Sequence, residues 1–311
     1  MYAAVLFLRK DALMSKERKK ELKAAAKGYA FIGINLIGVL VFWTFPLIFS
    51  FVISISKWDY TKGIGGLQFT GFDNYIDMWR DEWFRASLIN NVIFTVFFVL
   101  LLLVIAFILA YILHEYVVGK KLAQLGLYLP YIVNIVAISA VWLALFSNNG
   151  PVVSILKTLG IEEPPVFIAN VRWALPTIIF ICVWQNLGYT VMLYLSGMVN
   201  ISKDLYEAAS IDGANVFQRI RYVTIPMLSG TTFFILVTSI INSFKVFGLI
   251  NLMTNGGPGS STTMLVYNIY RTGFQFGKLE FASAQGIVLL LIIFVITWFQ
   301  FRIQKRNEAV M

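Results

Sequence analysis

The 311 residues are 59% hydrophobic and only 13% charged, with a mean hydropathy of +0.76. This composition excludes a soluble globular domain, because most of such a chain must be solvated by lipid. The formal net charge of +9 does not indicate nucleic acid, since much of it lies in one basic segment from Arg9 to Lys27, directly before the first apolar run. The predicted fold class is an all-α polytopic membrane protein.

Six apolar stretches are long enough to cross a bilayer, which takes about 20 residues. If Lys245 is accepted as a charge within a span, the stretches lie near 29–55, 87–113, 123–146, 173–199, 227–254 and 280–301. With both termini placed in the cytoplasm, the inner segments hold 16 Lys and Arg residues and the outer loops hold 8. This asymmetry predicts six transmembrane helices with cytoplasmic termini.

Three parts are therefore expected along the chain: a basic cytoplasmic tail (1–27), a transmembrane domain (28–303) and a short cytoplasmic end (304–311). The tail is predicted to be a topology signal attracted to anionic lipid. No cleaved signal peptide is expected, because the basic residues follow the short apolar start when they should precede it. Met14 stands directly before the basic run, so the first thirteen residues are also compatible with an alternative start.

The first three spans contain two prolines, Pro46 and Pro130, which predict helix kinks because proline lacks a backbone donor. The loop from Lys57 to Arg85 is rich in aromatic residues and is interpreted as an interfacial belt, with a docking surface as the alternative. The second span is a nearly uniform Val, Leu and Phe run, typical of a lipid-facing helix. His114 and Glu115 at its end are interpreted as interfacial residues, since no second histidine exists to build a metal site.

The fourth span follows a segment of turn-forming residues in which a short helix is predicted near Val152 to Leu159. About halfway across the bilayer it carries Gln185, Asn186 and Tyr189. Their spacing of three and four residues places all three on one helix face. Polar groups at that depth are expected to face protein or a water-filled path.

The fifth span carries Thr238, Asn242 and Lys245 at spacing i, i+4 and i+7, which predicts a polar stripe along one helix face. A lysine at the centre of a span costs about 2.5–3.5 kcal/mol, so it is expected to face a solute cavity. The alternative is that Lys245 snorkels or bonds the carbonyl groups of a neighbouring helix. The candidate substrate path is therefore Gln185, Asn186, Tyr189, Asn242 and Lys245.

After this span, paired glycines before a proline predict a sharp backbone turn at the outer mouth of the path. The residues of this candidate turn are Asn255, Gly256, Gly257 and Pro258.

Between the fourth and fifth spans lies a polar segment with the signals of two short helices. Ser202 is a predicted N-cap, Gly213 a predicted stop, and Asn215 with Gln218 has capping-box spacing. The coupling helices are expected at about 202–222, before Pro226 introduces the fifth span. The alternative is an amphipathic connector lying on the membrane.

This segment resembles the EAA signature of ABC importer permeases. The signature has Glu-Ala-Ala, then a glycine four residues after the last alanine, then an Ile-x-Leu-Pro element ten residues further on. Five residues match it: Glu207, Ala208, Ala209, Gly213 and Pro226. Val223 and Ile225 stand in place of its isoleucine and leucine, which is a conservative departure. The sequences TNGGP and WQNLGY and the six spans resemble the maltose-type, or carbohydrate uptake family 1, permeases. We call residues 202–226 the EAA loop.

The resemblance implies an ABC type I importer permease in the inner (cytoplasmic) membrane of a prokaryotic cell. Its implied partners are a second homologous permease, an ATPase dimer that binds ATP and Mg²⁺, and a solute-binding protein outside. The implied solute is a carbohydrate on the fourth and fifth spans. The implied ATPase-coupling residues are Glu207, Ala208, Ala209, Asp212 and Gly213.

No catalysis is expected on this chain, which has no phosphate loop, no metal-ligand set and no nucleophile–base pair, and no cofactor is expected on it either. Cys182, the single cysteine, excludes an intrachain disulfide. Lys245 departs from the neutral amide usual in this region of the family, which leaves an anionic solute, such as an acidic sugar or glycerol phosphate, as an alternative. An ion-coupled secondary transporter is a second alternative. It is disfavoured because no Asp or Glu lies within a predicted span.

Overall fold

The computed structural model describes residues 21, 23, 25, 28, 29, 31–117 and 119–308. The predicted basic tail therefore lies almost entirely outside the described residues, as do residues 309–311. The described residues up to 53 form one compact unit and those from 54 onward form a second.

Helices dominate the described residues, and one small sheet accompanies them. In chain order the elements are α1 (Phe31–Ser54), β1 (Ser56–Trp58), β2 (Leu67–Phe69), α2 (Asp73–Arg80), α3 (Glu82–Glu115), α4 (Lys120–Ile132), α5 (Ile135–Leu145), α6 (Pro151–Thr158), α7 (Ala174–Val199), α8 (Lys203–Ile211), α9 (Val216–Met227), α10 (Ser229–Ser243), α11 (Leu265–Tyr270) and α12 (Leu279–Glu308). The short helix predicted near 152–159 is confirmed as α6.

Four of these helices, α1, α3, α7 and α12, are long and apolar enough to cross a membrane. Two bent pairs raise the number among the described residues to six if each pair counts as one span: α4 with α5, bent by 98°, and α9 with α10, bent by 66°. The predicted set of apolar stretches thus recurs, but two of its members are broken helices.

The prolines of the first span and of the EAA loop are accommodated in the same way. A π turn, Leu40–Thr44, ends two residues before Pro46, and a second, Ile220–Thr224, ends two residues before Pro226. In each, the backbone N–H after the turn reaches back five residues, to the carbonyl of Leu40 or Ile220. A π turn widens the helix locally, which suits a residue that donates no hydrogen bond.

The expectation of a purely helical chain is wrong in one place. β1 and β2 form an antiparallel pair with Ser56 opposite Phe69. Asn74 of α2 fixes the hairpin by donating from Nδ2 to the carbonyl oxygens of Ser54 and Ser56, each at 2.9 Å. Three-residue strands around a glycine-rich turn give too short an alternation to be recognised in sequence.

The lipid-facing interpretation of the second span fits only one face of α3, where Val96, Phe97 and Leu100 are exposed. α3 packs along α7 through a buried row, of which Phe94, Leu102, Ala106 and Ala110 are almost fully enclosed. The two small alanines let the helices approach closely, as small residues do in membrane helix pairs. The apolar run looks uniform because its inward and outward faces are equally hydrophobic.

The predicted third span, with its kink at Pro130, is two helices. α4 continues past Pro130 to Ile132, and the chain then bends at Val133 and Asn134. The Asn134 side chain accepts a hydrogen bond from the Val136 N–H at 2.8 Å and so caps α5. A new N-cap ends the first helix and starts the second, which is a sharper break than a proline kink.

The predicted fifth span also breaks, because α10 ends at Ser243. Asn91 of α3 donates from Nδ2 to the Ser243 carbonyl at 3.3 Å, and the Ser243 hydroxyl lies 2.7 Å from that of Thr95. α3 thereby supplies partners to a helix end that the chain itself leaves open. Lys245 therefore lies in a turn after α10, and its expected place on the helical stripe is wrong.

Candidate functional site

The EAA loop has the local structure that its sequence predicts. The Ser202 hydroxyl caps α8 by accepting from the Asp204 N–H, and α8 ends before Gly213, which adopts φ +78°. Asn215 and Gln218 form both bonds of a capping box, at 2.8 and 2.9 Å. The loop is thus a helix, a glycine turn and a second helix, fixed by bonds between residues close in sequence.

The predicted coupling residues lie together on the surface of this loop. Glu207, Ala208, Asp212 and Gly213 are exposed, and Ala209 is half-buried. The same surface carries large apolar side chains: Ile211 is 87% exposed and Phe217 is 83% exposed. Exposed apolar side chains beside small residues are typical of a surface that meets a partner protein.

Two contacts that sequence reasoning missed hold α8 against α9. The Tyr206 hydroxyl lies 3.0 Å from that of Thr224, a fully buried residue, and Arg219 Nη1 donates to Ser210 Oγ at 3.5 Å. No local signal marks these pairs, because Tyr206 and Thr224 are eighteen residues apart. The two short helices therefore form one braced unit.

A cleft of about 390 Å³ lies between this unit and the end of α3. Its polar lining includes Tyr111, Glu115, Lys203, Glu207 and Arg219. His114 also lines it and bonds its neighbour, with Nδ1 3.0 Å from Glu115 Oε1. Among the described residues no group of three His, Cys, Asp or Glu side chains forms a metal site.

A second cavity, of about 260 Å³, joins the fourth and fifth predicted spans. It is lined by four of the five predicted path residues: Gln185, Asn186, Asn242 and Lys245. Apolar residues of α3, α5, α7 and the turn after α10 complete its wall: Phe98, Ile135, Cys182, Val246, Phe247, Gly248 and Leu249. These four residues therefore lie together at the junction of the two spans, and their role in a substrate path stays a prediction.

The fifth predicted path residue, Tyr189, does not line this cavity. Its ring stacks on that of Tyr131 in α4, with centroids 4.7 Å apart and planes at 10°. Thr238, the first member of the predicted stripe, bonds the carbonyls of Phe234 and Ile235 in its own helix. Helical spacing indicates which side chains share a face but not which neighbour covers each one.

The polar groups of the cavity differ in how far the chain satisfies them. Asn186 donates from Nδ2 to the Cys182 carbonyl at 2.8 Å, whereas Asn242 and Lys245 are exposed. The Lys245 ammonium has no hydrogen-bond or ion-pair partner among the described residues. Its place just beyond the end of α10 is favoured by about 0.3–1 kcal/mol through the helix dipole.

The turn at Asn255–Pro258 is as sharp as its sequence predicts, although the positive φ angles fall on Asn255 (+48°) and Gly256 (+78°) rather than on both glycines. The Gly257–Pro258 peptide bond is cis. Tyr267 of α11 donates its hydroxyl proton to the Asn255 carbonyl at 2.8 Å. A Cβ at Gly256 would lie 2.6 Å from a Tyr267 ring carbon, so only glycine fits there.

Sequence reasoning also missed a polar row on α3 that holds this region. Asn90 donates from Nδ2 to the Ser260 carbonyl at 2.8 Å and to the Thr263 carbonyl at 3.1 Å. Asn91, fully buried, accepts from the Leu265 N–H at 3.2 Å through Oδ1. Adjacent asparagines at the start of an apolar run were the available signal, since a polar group within a membrane helix has a protein partner.

A helical membrane protein with a polar cavity among its spans and a braced, exposed helix pair between two of them has the form of a membrane-embedded transport subunit. Residues 118–308 match the family described as "Binding-protein-dependent transport system inner membrane component". The chain belongs to this family, and the expected ABC importer resemblance is confirmed.

Named relatives cover most of the chain. It is 32% identical to the lactose transport system permease protein LacF of Rhizobium radiobacter, over 90% of this chain and 95% of LacF. It is also 32% identical to the sn-glycerol-3-phosphate transport system permease protein UgpA of Yersinia pestis bv. Antiqua (strain Antiqua), over 77% of this chain and 81% of UgpA.

Two solved structures also match most of the chain. A chain of a bacterial ABC transporter involved in the import of the acidic polysaccharide alginate has a TM-score of 0.80 and 25% identity, over 92% of this chain and 98% of that one. A second structure of an alginate ABC transporter, in complex with an alginate pentasaccharide-bound periplasmic protein, also gives 0.80 and 25%, over 93% and 97%.

Proposed function

We propose that this chain forms half of the translocation path of an ATP-driven importer for a sugar or oligosaccharide. The observation that carries the proposal is the EAA loop, a braced helix pair that exposes Glu207, Ala208 and Gly213. A rigid, exposed helix pair can transmit a movement of a bound partner protein to the helices that follow it. The names of LacF and of the alginate transporters support a carbohydrate solute. Family membership favours this function over an ion-coupled transporter.

The proposed topology has six spans and both termini in the cytoplasm. The pair α4–α5 is counted as one span, and the fifth span, 227–254, begins with α10. The supporting observation is the uneven distribution of Lys and Arg. The parts are a basic tail (1–27), a transmembrane domain (28–303) and a cytoplasmic end (304–311). The EAA loop then faces the cytoplasm, and the Asn255–Pro258 turn lies at the outer mouth. The protein would be a multi-pass component of a prokaryotic cytoplasmic membrane.

The proposed assembly contains a second permease, two ATPase subunits and an outside binding protein that delivers the solute. The alginate transporter seen with its periplasmic protein supports the last of these. ATP and Mg²⁺ would bind the ATPase subunits, and this chain would hold no cofactor and catalyse no reaction. Glu207, Ala208, Ala209, Asp212 and Gly213 would contact the ATPase, and Gln185, Asn186, Asn242 and Lys245 would contact the solute.

Transport by reconstituted vesicles tests this proposal. The solute that copurifies with the cognate binding protein is identified by mass spectrometry and supplied, radiolabelled, outside vesicles that hold the complete complex. We expect uptake only when ATP is present on the ATPase side and the binding protein is present outside. Uptake without ATP, or without the ATPase subunits, would contradict the proposal.

A further inference from the structure

The cavity of about 260 Å³ at the junction of α7 and α10 holds an excess of positive charge. Among the described residues that line it, Lys245 is the only charged one, and no described Asp or Glu pairs with the ammonium. Residues 173–202 and 222–270 contain no Asp or Glu at all. The chain therefore offers no local counter-charge to this lysine from the spans on either side.

The position of Lys245 is fixed by its surroundings. Its N–H donates to the Asn242 carbonyl at 3.0 Å, and the preceding residue, Phe244, is buried. Asn91 and Thr95 bind Ser243, two residues earlier, so the turn is held against α3. The backbone of Lys245 is held in this way, so its side chain extends from a fixed point in the cavity wall.

The other polar groups suit a hydroxyl-rich molecule. Gln185 and Asn242 each carry an amide with two donors and an acceptor, which is the pattern that sugar and polyol hydroxyls need. Neither amide supplies negative charge, so both leave the ammonium uncompensated. An ammonium without a counter-charge forms its strongest hydrogen bonds with a ligand oxyanion, because both partners are then charged.

We propose that Lys245 is an anion subsite of the path, so that the imported solute carries a carboxylate or phosphate beside its hydroxyl groups. This inference rests on the proposed function and narrows its solute class. Lys245 binds the oxyanion, while Gln185 and Asn242 bind adjacent hydroxyls. The cavity volume is just below the usual range of roughly 300–1,000 Å³ for ligand sites. It therefore suits one acidic unit of a solute rather than a long chain.

Vesicles with the complete complex and its binding protein test the inference with four probes: trigalacturonic acid, glycerol 3-phosphate, neutral maltotriose and the solute that copurifies with the binding protein. We expect ATP-driven uptake of an anionic probe or an anionic copurified solute. Lys245→Gln should raise the KM for that anion about tenfold or more, because a charge-assisted hydrogen bond is lost. Lys245→Arg should restore most of the affinity. The matched control is Lys157→Gln, an exposed lysine of α6 outside the cavity, which should leave uptake unchanged.

The outcomes with the four probes distinguish a failure of this inference from a failure of the proposed function. ATP-driven uptake of a neutral copurified solute or of maltotriose, with no anionic solute carried, would leave the function standing and overturn the anion subsite. Failure of ATP-driven uptake for all four probes would overturn both.

Two further results would overturn the subsite by giving the ammonium another partner. One is an uptake defect of Lys245→Gln that appears in phosphatidylglycerol vesicles and is absent in pure phosphatidylcholine. That result would make an anionic lipid headgroup the partner of the Lys245 ammonium. The other is loss of the second permease on copurification of Lys245→Gln, which would assign a carboxylate of that subunit. An unchanged KM for the anion in Lys245→Gln would also contradict the inference.

Discussion

Single side chains of α3 determine where other helices end. Asn91 is fully buried and uses its carbonyl and amide groups on two different partners, the Leu265 N–H and the Ser243 carbonyl. Both partners are backbone groups at helix ends, where the chain leaves hydrogen-bonding groups open. One amide thus ties the start of α11 and the end of α10 to α3.

Replacing this residue should destabilise the fold. Asn91→Ala leaves a buried donor and a buried acceptor without partners, at about 1–3 kcal/mol each, so we expect a loss of about 2–6 kcal/mol in the free energy of unfolding. The comparison is Asn200→Ala, at an exposed asparagine that bonds the Ser196 carbonyl of its own helix. Thermal unfolding in detergent checks both variants, and equal stability of the two would refute the role of Asn91.

The turn after the fifth predicted span gives a second test. Gly256→Ala should destabilise the fold by about 1–3 kcal/mol, because φ is +78° and the new Cβ would lie 2.6 Å from Tyr267. Gly230→Ala is the control, since its Cβ would meet no atom within 4 Å in the helix α10. We expect that control to unfold at the same temperature as the wild type or higher. A Gly256→Ala variant as stable as the wild type would contradict the geometry.

At the scale of whole elements, the EAA loop acts as a unit because α8 and α9 are braced by side chains. The hydroxyls of Tyr206 and Thr224 lie 3.0 Å apart, and Thr224 also donates to the Arg219 carbonyl at 3.4 Å in the π turn. The brace therefore holds α8 against the part of α9 where the helix widens. A displacement of α8 would therefore move α9 with it.

Loosening this brace should uncouple the loop. Tyr206→Phe keeps the ring but removes the hydroxyl, so we expect ATP hydrolysis to persist while solute uptake per ATP falls about twofold to tenfold. Tyr222→Phe, at a ring 71% exposed on the same loop, is the matched control. Parallel measurement of phosphate release and uptake decides the matter, and an unchanged ratio in Tyr206→Phe would count against the brace.

The contrast between predictable and unpredictable elements follows from how each is stabilised. The caps of α8 and α9 depend on partners two or three residues away, so Ser202, Asn215 and Gln218 revealed them in sequence. The end of α10 depends on Asn91 and Thr95, about 150 residues distant. Helical periodicity contains no information about such partners, and it therefore extended the fifth span past Ser243.

The residues of the candidate cavity also divide into those that the sequence predicts and those that depend on distant contacts. Gln185, Asn186, Asn242 and Lys245 were predicted because polar residues in apolar spans are expected to converge. Tyr189 was misassigned because α4, which bends away from α5 by 98°, brings Tyr131 against its ring. The bend depends on the Asn134 cap, which the sequence showed only as one polar residue near a proline.

Over the whole molecule, one long helix and one bent helix pair lead from the candidate cavity to the EAA loop. α7 runs from the cavity, at Gln185 and Asn186, to its end at Val199, four residues before α8 begins. α9 leads through a 66° bend into α10, whose last turn holds Asn242. A displacement of the EAA loop would thus move the two helices that carry the cavity. This connection is the central claim of the proposed mechanism.

Separate measurement of uptake and ATP hydrolysis in vesicles tests this claim most directly. Glu207→Ala and Gly213→Pro should insert normally into the membrane but abolish ATP-driven uptake. Asn242→Ala should impair uptake while the complex still assembles with its ATPase, and the control Glu163→Ala, an exposed carboxylate outside the EAA loop, should transport as the wild type does. ATP-driven uptake by Glu207→Ala and Gly213→Pro at the wild-type rate would contradict the account.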